Sequence, residues 1–226
     1  MAESAYQNVR SLASKIRKRR SKHLINLIEK IIRQHGLTEI KIADIGGDRI
    51  YWKIFPFERF PEVQFKIELI NILPKKLHFG EDYSRPNVEF KPVICDCTKL
   101  TMADKSYHLC HSNSVIEHLG SWENVKKAVS EADRVAQYVY HQTPNFWFPY
   151  EPHFRMVFVH WLPRPMLTTF ITEFSNLRNK EYDVAKFHQD EICLLTRRDM
   201  KRLFPGLKLI NERYLLVKSF MVLSKI

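Results

Sequence analysis

A chain of 226 residues, 45% hydrophobic and 12% aromatic, is long enough to bury one substantial core, and a single domain over 1–226 is expected. No run of about 18 apolar residues and no charged-then-apolar secretory start occurs, so a soluble, cytoplasmic protein is expected, at most peripheral to a membrane. A formal net charge of +11 calls for anionic company, whether phosphorylated substrate, acidic lipid or nucleic acid, without choosing among them.

Residues 1–36 carry apolar side chains at helical spacing: Val9, Leu12 and Ile16, then Leu24, Leu27, Ile28, Ile31 and Ile32, until Gly36 stops them. Lys15, Arg17, Lys18, Arg19, Arg20 and Lys22 crowd the join between the two sets. They read as a solvated face, or as a patch for an anionic substrate or an acidic membrane surface. Short runs rich in β-branched residues follow: EIKIADI (39–45), VQFKIELINI (63–72), VEFKPVIC (88–95), YHLCHSNS (107–114) and QYVYHQT (137–143). SWENVKKAVSEADRVA lies between the last two and predicts a helix with Ser121 as N-cap. Strands alternating with helices predict an α/β fold with a mostly parallel sheet. Residues 144–194 break the rhythm with prolines and aromatics and read as an insert. A helix capped by Thr196 and two terminal runs, LKLINERYLL and VKSFMVLSKI, predict an antiparallel edge hairpin.

Four cysteines, Cys95, Cys97, Cys110 and Cys193, come without a secretion signal or a second C-x-x-C pair. Reduced thiols and no metal site are therefore expected. In KIADIGGDRIYW (41–52) an apolar run ends in Asp44 and two adjacent glycines. Glycine lets a backbone take positive φ and approach a ligand closely, as the first βα turn of an open sheet requires. Asp48 and Arg49 follow the pair, so the GxGxxG of nicotinamide enzymes is absent, and no GK[ST] phosphate loop occurs.

This turn, INI at 70–72, VICDCTKL at 93–100 and ADKSYHLCHSNSVIEHLGSWENV at 103–125 follow one another in an order that resembles the class I S-adenosylmethionine-dependent methyltransferases, type 11 group. The resemblance covers about residues 35–145 and again from about 190, and its most specific stretch is CDCTKLTMADKSYHLCHSNSVIEHL. It implies a Rossmann-like sheet of seven strands, S-adenosyl-L-methionine as cofactor, and a role for each matching residue. Asp44, Gly46 and Gly47 would form the turn under the methionine amino and carboxylate groups. Asn71 would reach the ribose hydroxyls in place of the usual acid. Asp96 would accept from the adenine amino group beside the Cys97 backbone, and Asn113 would face the methionine portion. Asp48 or Arg49 in place of a third glycine, Asn71 in place of the acid, and Tyr107-His108 in place of F-D depart from the pattern.

On the acceptor side, His118, directly after the fourth strand, and His153, beside Glu151 in the loop after the fifth, are the candidate catalytic residues. His141 reads as a core histidine. Trp147, Tyr150 and Glu151 are candidate substrate contacts, with Phe148, Phe154 and Trp161 adding flat apolar surface. The leading expectation is methyl transfer to a small-molecule or saccharide hydroxyl. RNA methylation, favoured by the basic character, and a non-catalytic scaffold on a degenerate methyltransferase fold are the alternatives; no N-P-P-[YF] base-methylation motif is present.

Overall fold

The computed structural model describes residues 12–47, 49–72, 85–151, 156–174 and 192–226. In chain order they form α1 (Leu12–His35), β1 (Glu39–Ile45), α2 (Arg49–Trp52), β2 (Gln64–Asn71), β3 (Val88–Ile94), β4 (Tyr107–Asn113), α3 (Trp122–Val135) and β5 (Ala136–Pro144). Then come β6 (Tyr150–Glu151), β7 (Met156–Val157), α4 (Arg164–Phe174), α5 (Arg197–Leu203), β8 (Lys208–Tyr214) and β9 (Leu216–Leu223).

Seven strands make one sheet in the order β3-β2-β1-β4-β5-β9-β8, and β6 pairs with β7 separately. β1 runs parallel to β2 and β4, and β2 parallel to β3, as the alternation of strands and helices predicts. β8 and β9 are neighbours joined through Leu215 alone and form the antiparallel edge. The chain groups into two compact units: 1–113 with 127–141 and 222–226, and 114–126 with 142–221.

In the first unit, Ile40, Ile42, Phe65, Leu69 and Leu109 are fully buried, and in β1 and β2 the buried apolar positions alternate with the exposed Lys41, Gln64 and Lys66 before the strands become wholly buried at their carboxyl ends. Leu24, Leu27, Ile28 and Ile31 of α1 are buried too, so the apolar stripe of this helix is covered by protein. Val125, Ala128, Ala132 and Val135 form the buried stripe of α3 at helical spacing. Asn124 N–H donates to Ser121 Oγ at 3.2 Å, the expected N-cap. Thr196 closes a full capping box with Asp199 at the start of α5. Among the described residues, no helix is long and apolar enough to cross a membrane.

His141 occupies the core position expected of it, and burial, then the neighbouring His111, pushes its pKa down to about 3. The folded imidazole is neutral, whereas in the unfolded chain it charges below about 6.5. The unfolded state therefore binds more protons between those two values. Stability is fully present above pH 6.5 and falls with pH by up to about 1.4 kcal/mol per unit from this group. His141→Gln should flatten the fall in the urea midpoint between pH 6.5 and 4.5. A wild-type slope persisting unchanged in the variant would show that other groups carry it.

Candidate functional site

The carboxyl ends of β4, β1, β2 and β3 stop in one row. Ile45 stands opposite Ser112 on β4 and opposite Ile70 on β2, so Gly46 begins its turn level with both Asn113 and Asn71. Gly46 N–H donates to Ile70 O at 2.8 Å and Cys95 N–H to Asn71 O at 3.3 Å, carrying the row to the loop after β3. The resemblance's cofactor residues Asn113, Gly46, Gly47, Asn71, Asp96 and Cys97 are thereby collected along a single sheet edge. In an open α/β sheet this is the edge at which ligands bind.

Gly46 has φ +69, and a Cβ on Gly47 would fall 2.7 Å from both Asp44 O and Asp44 Oδ2. The turn is thus a bare-backbone cradle. Asp44 supports it from inside: the residue is 2% exposed, and its carboxylate accepts from Trp52 Nε1 at 2.7 Å and His111 Nδ1 at 2.6 Å. Both oxygens are engaged within the protein, which leaves the cradle's outward groups to its backbone. Trp52 is fully buried, and the His111 ring packs against both Tyr51 and Trp52, with centroids at 4.6 and 5.2 Å, and stacks on Tyr140 at 13°. His111 Nε2 is buried without a hydrogen-bond partner. Neither Trp52 nor His111 stands out in the sequence as a partner of the turn.

Asn71 is buried at the end of β2, and Asp96 is exposed just past β3. Asp96 Oδ1 accepts from Thr98 N–H and Thr98 Oγ1, both at 2.8 Å, which fixes the carboxylate of this exposed residue. The Cys97 thiol is pushed up to about 11 by burial and then by the Asp96 charge, so it stays protonated and inward. The loop behind is clamped from α3. Arg134 donates to Leu100 O, Met102 O and Asp104 at 2.7 to 2.9 Å, and Glu131 accepts from Leu100 N–H at 2.7 Å. The Arg134 hydrogen bond holds Glu131 below the usual carboxylate range. The two ends of this clamp lie about thirty residues apart, and neither carries a local signature in the sequence.

Asn113 Oδ1 accepts from Arg20 Nη1 at 3.1 Å. One member of the N-terminal basic cluster thus belongs to the row, while Arg19 and Lys22 are exposed.

In the second unit, His118 is exposed on the 3-10 turn Ile116–His118 that follows β4. Beside it in sequence, Glu117 is fully buried, accepting from Thr143 Oγ1 at 2.9 Å through Oε2 and from Cys193 N–H through its carbonyl. Glu117 thus ties the end of β5 and the return of the insert to one turn. Trp147 is 60% exposed and Tyr150 42%, whereas Glu151 is buried. Trp147 lies 6.0 Å from Trp161, whose Nε1 donates to Phe146 O, and Phe158 lies 5.0 Å from Trp161, giving an exposed aromatic surface. His153, Phe154 and Asp48 lie outside the described residues, as do the side chains of Arg49 and Arg164. No group of three His, Cys, Asp or Glu among the described residues could hold a metal ion.

A methyltransferase-domain family model matches residues 59–138, which starts after the glycine turn and takes in β2 through α3 and the first three residues of β5. No curated protein matches the sequence significantly. Among solved structures, the chain is similar to geranyl diphosphate C-methyltransferase from Streptomyces coelicolor, solved with Mg2+, geranyl diphosphate and S-adenosyl-L-homocysteine: 11% identity, TM-score 0.53, 91% of this chain and 80% of that one. A candidate Zn-dependent alcohol dehydrogenase from Rhodobacter sphaeroides gives 9% identity and TM-score 0.53, over 84% of this chain and 85% of that one. A S-adenosylmethionine-dependent methyltransferase from Methanosarcina mazei gives 12% identity and TM-score 0.47, over 85% and 95%. At such identities the first two speak for the Rossmann-like fold alone.

Proposed function

We propose that this chain, an S-adenosylmethionine-dependent methyltransferase with a type 11 methyltransferase domain, methylates a hydroxyl of a small-molecule or saccharide acceptor. The observation that carries the cofactor half of this reading is the row of Asn113, Gly46, Asn71 and Asp96 along one sheet edge. The residues present suit the cofactor: a cradle too tight for any Cβ, an amide for a diol, and a fixed carboxylate for an amine. Bound there, the cofactor supplies an electrophilic methyl group on a sulfonium.

The protein's own work is positioning. Gly46 and Gly47 hold the methionine end by backbone, Asn71 orients the ribose, and Asp96 fixes the adenine. Holding an acceptor oxygen in line with the methyl group can remove roughly 7 to 11 kcal/mol of barrier. A hydroxyl acceptor gains further from a base that takes its proton, and His118 and His153 are the proposed residues. The exposed rings of Trp147, Tyr150 and Trp161 favour a flat or sugar-like acceptor. The exposed Arg19 and Lys22 favour anionic company near α1, an acidic membrane surface included.

Transfer of labelled methyl groups to a panel of saccharides and hydroxylated aromatics, with an RNA pool alongside, tests the acceptor class. Trp147→Ala should raise KM for the acceptor by about 2- to 12-fold, the worth of one aromatic contact, with cofactor affinity unchanged. Label in RNA alone, with steep salt dependence, would overturn the small-molecule reading.

A further inference from the structure

We propose that the second unit docks on an acidic lipid bilayer through exposed apolar side chains of the insert and the cations of α5; this goes beyond the acceptor reading and holds whatever the acceptor is. Trp147, Val157, Phe158, Trp161 and Met166, all in that unit, are each at least 38% exposed. Exposed apolar residues scattered singly are ordinary, but these are gathered. The Trp161 ring centroid lies 6.0 Å from that of Trp147 and 5.0 Å from that of Phe158, and Val157 and Phe158 lead directly into the 3-10 turn Val159–Trp161. Leu167 of α4 shares a buried cluster with Val159, so α4, with the exposed Met166 next to Leu167, packs on the same turn. Phe158 has φ +61, in the left-handed region where a bulky side chain is an outlier. Burial in protein does not offset that strain, since the residue is 51% exposed. Strain kept at an exposed ring points to a partner outside the chain.

α5 supplies the charge complementarity. Phe146 N–H donates to Leu195 O at 3.0 Å and Asn145 bridges Leu195, so Thr196, the N-cap of α5, directly follows a residue paired beside Trp147. Arg197, Arg198, Lys201 and Arg202 of this helix are exposed, and none of them forms an ion pair among the described residues. The one acid of the helix, Asp199, is engaged in the capping box, and Met200 is buried. Cations beside exposed apolar side chains are the two signals that hold a protein on an anionic bilayer, by headgroup attraction and by insertion, and Trp and Phe suit the interfacial depth. Val157 and Met166 favour lipid over nucleic acid, because neither offers a face on which a base can stack. The rings also meet one another at 54° and 43° rather than as a parallel platform. α1 carries cations too, but its Leu24, Leu27, Ile28 and Ile31 are buried in protein and cannot insert.

Co-sedimentation of the full chain with vesicles of equimolar phosphatidylglycerol and phosphatidylcholine, with pure phosphatidylcholine vesicles alongside, tests this. It needs neither cofactor nor acceptor, so its outcome is separate from that of the methyl-transfer reading. The chain should sediment with the acidic vesicles and much less with the neutral ones. Phe158→Gly suits the left-handed φ and should stay folded by its urea midpoint, yet weaken binding to acidic vesicles about 4- to 12-fold, the effect of withdrawing a half-exposed ring. Met166→Ser should act in the same direction. Lys201→Gln with Arg202→Gln should weaken binding by about 5-fold per charge, whereas Arg19→Gln with Lys22→Gln should leave it within about 2-fold. No sedimentation with acidic vesicles, or binding that follows Arg19 and Lys22 but not Phe158 and Met166, overturns the proposal. So does retention of a single-stranded RNA oligonucleotide that falls in Phe158→Gly while vesicle binding does not.

Discussion

Asp44→Ala is expected to cost about 3 to 5 kcal/mol of stability, the largest effect of any single substitution at the sheet edge. The carboxylate is the acceptor for two buried donors, Trp52 Nε1 and His111 Nδ1. Its removal leaves both donors unpaired among the packed rings of Tyr51, Trp52 and His111. Against a total of about 5 to 15 kcal/mol, that loss leaves a marginal protein. Asp44→Asn should cost less. Its amide oxygen can still accept from Trp52, and its NH2 can donate to an unprotonated Nδ1, with His111 switched to the other tautomer. Urea denaturation of both variants checks this. Asp44→Ala within about 0.5 kcal/mol of wild type would show that the buried triad contributes little.

Gly47→Ala should disable the cradle. The added methyl group would sit 2.7 Å from Asp44 O and Oδ2 and 2.9 Å from Cγ, and none of these can retreat. The carbonyl belongs to β1, and the carboxylate is held on both sides. Overpacking of this kind costs about 1 to 3 kcal/mol, and opening the turn to relieve it moves the backbone N–H groups away from the ligand. Cofactor affinity should drop by at least about 10-fold, a loss of about 1.4 kcal/mol. Gly36→Ala is the control: φ is +60 there but nothing lies within 4 Å of the new Cβ, so only about 1 kcal/mol of backbone strain is expected and affinity should not move. Equal affinity in wild type and Gly47→Ala would remove the turn from the site.

What the sequence made legible is what local patterning encodes. β1 occupies the predicted run at 39–45, and β2, β3 and β4 fall within a residue or two of theirs, because short segments rich in β-branched and aromatic residues mark strands locally, even in β3, which has no buried residue. The caps at Ser121 and Thr196 were readable because an N-cap and its partner are three residues apart. The two-residue strands β6 and β7 are too short to show a period, and α2 is a single turn directly after the glycines.

The chemistry of the site was less readable, for a different reason. Asp44 meets Trp52 eight residues on and His111 sixty-seven on, and Arg20 meets Asn113 across ninety-three residues. No local pattern encodes such contacts; the register of the parallel strands and the packing of α1 and α2 on them bring them together. Asp44 shows the consequence. The motif marks it as belonging to the glycine turn, and it does, yet its carboxylate serves the turn from the protein side. The burial of Glu117 and Glu151 is likewise set by tertiary packing, which composition could not foretell.

The central claim is that the row of strand ends binds the adenosyl cofactor, and the most direct measurement is calorimetric titration of the folded chain with S-adenosylhomocysteine, with Asp96→Ala alongside. Binding in the micromolar range, roughly -8 kcal/mol, that weakens when the fixed Asp96 carboxylate is removed is the predicted result. No heat from protein shown to be folded would contradict it and leave a binding or scaffold protein on a methyltransferase fold as the reading to pursue.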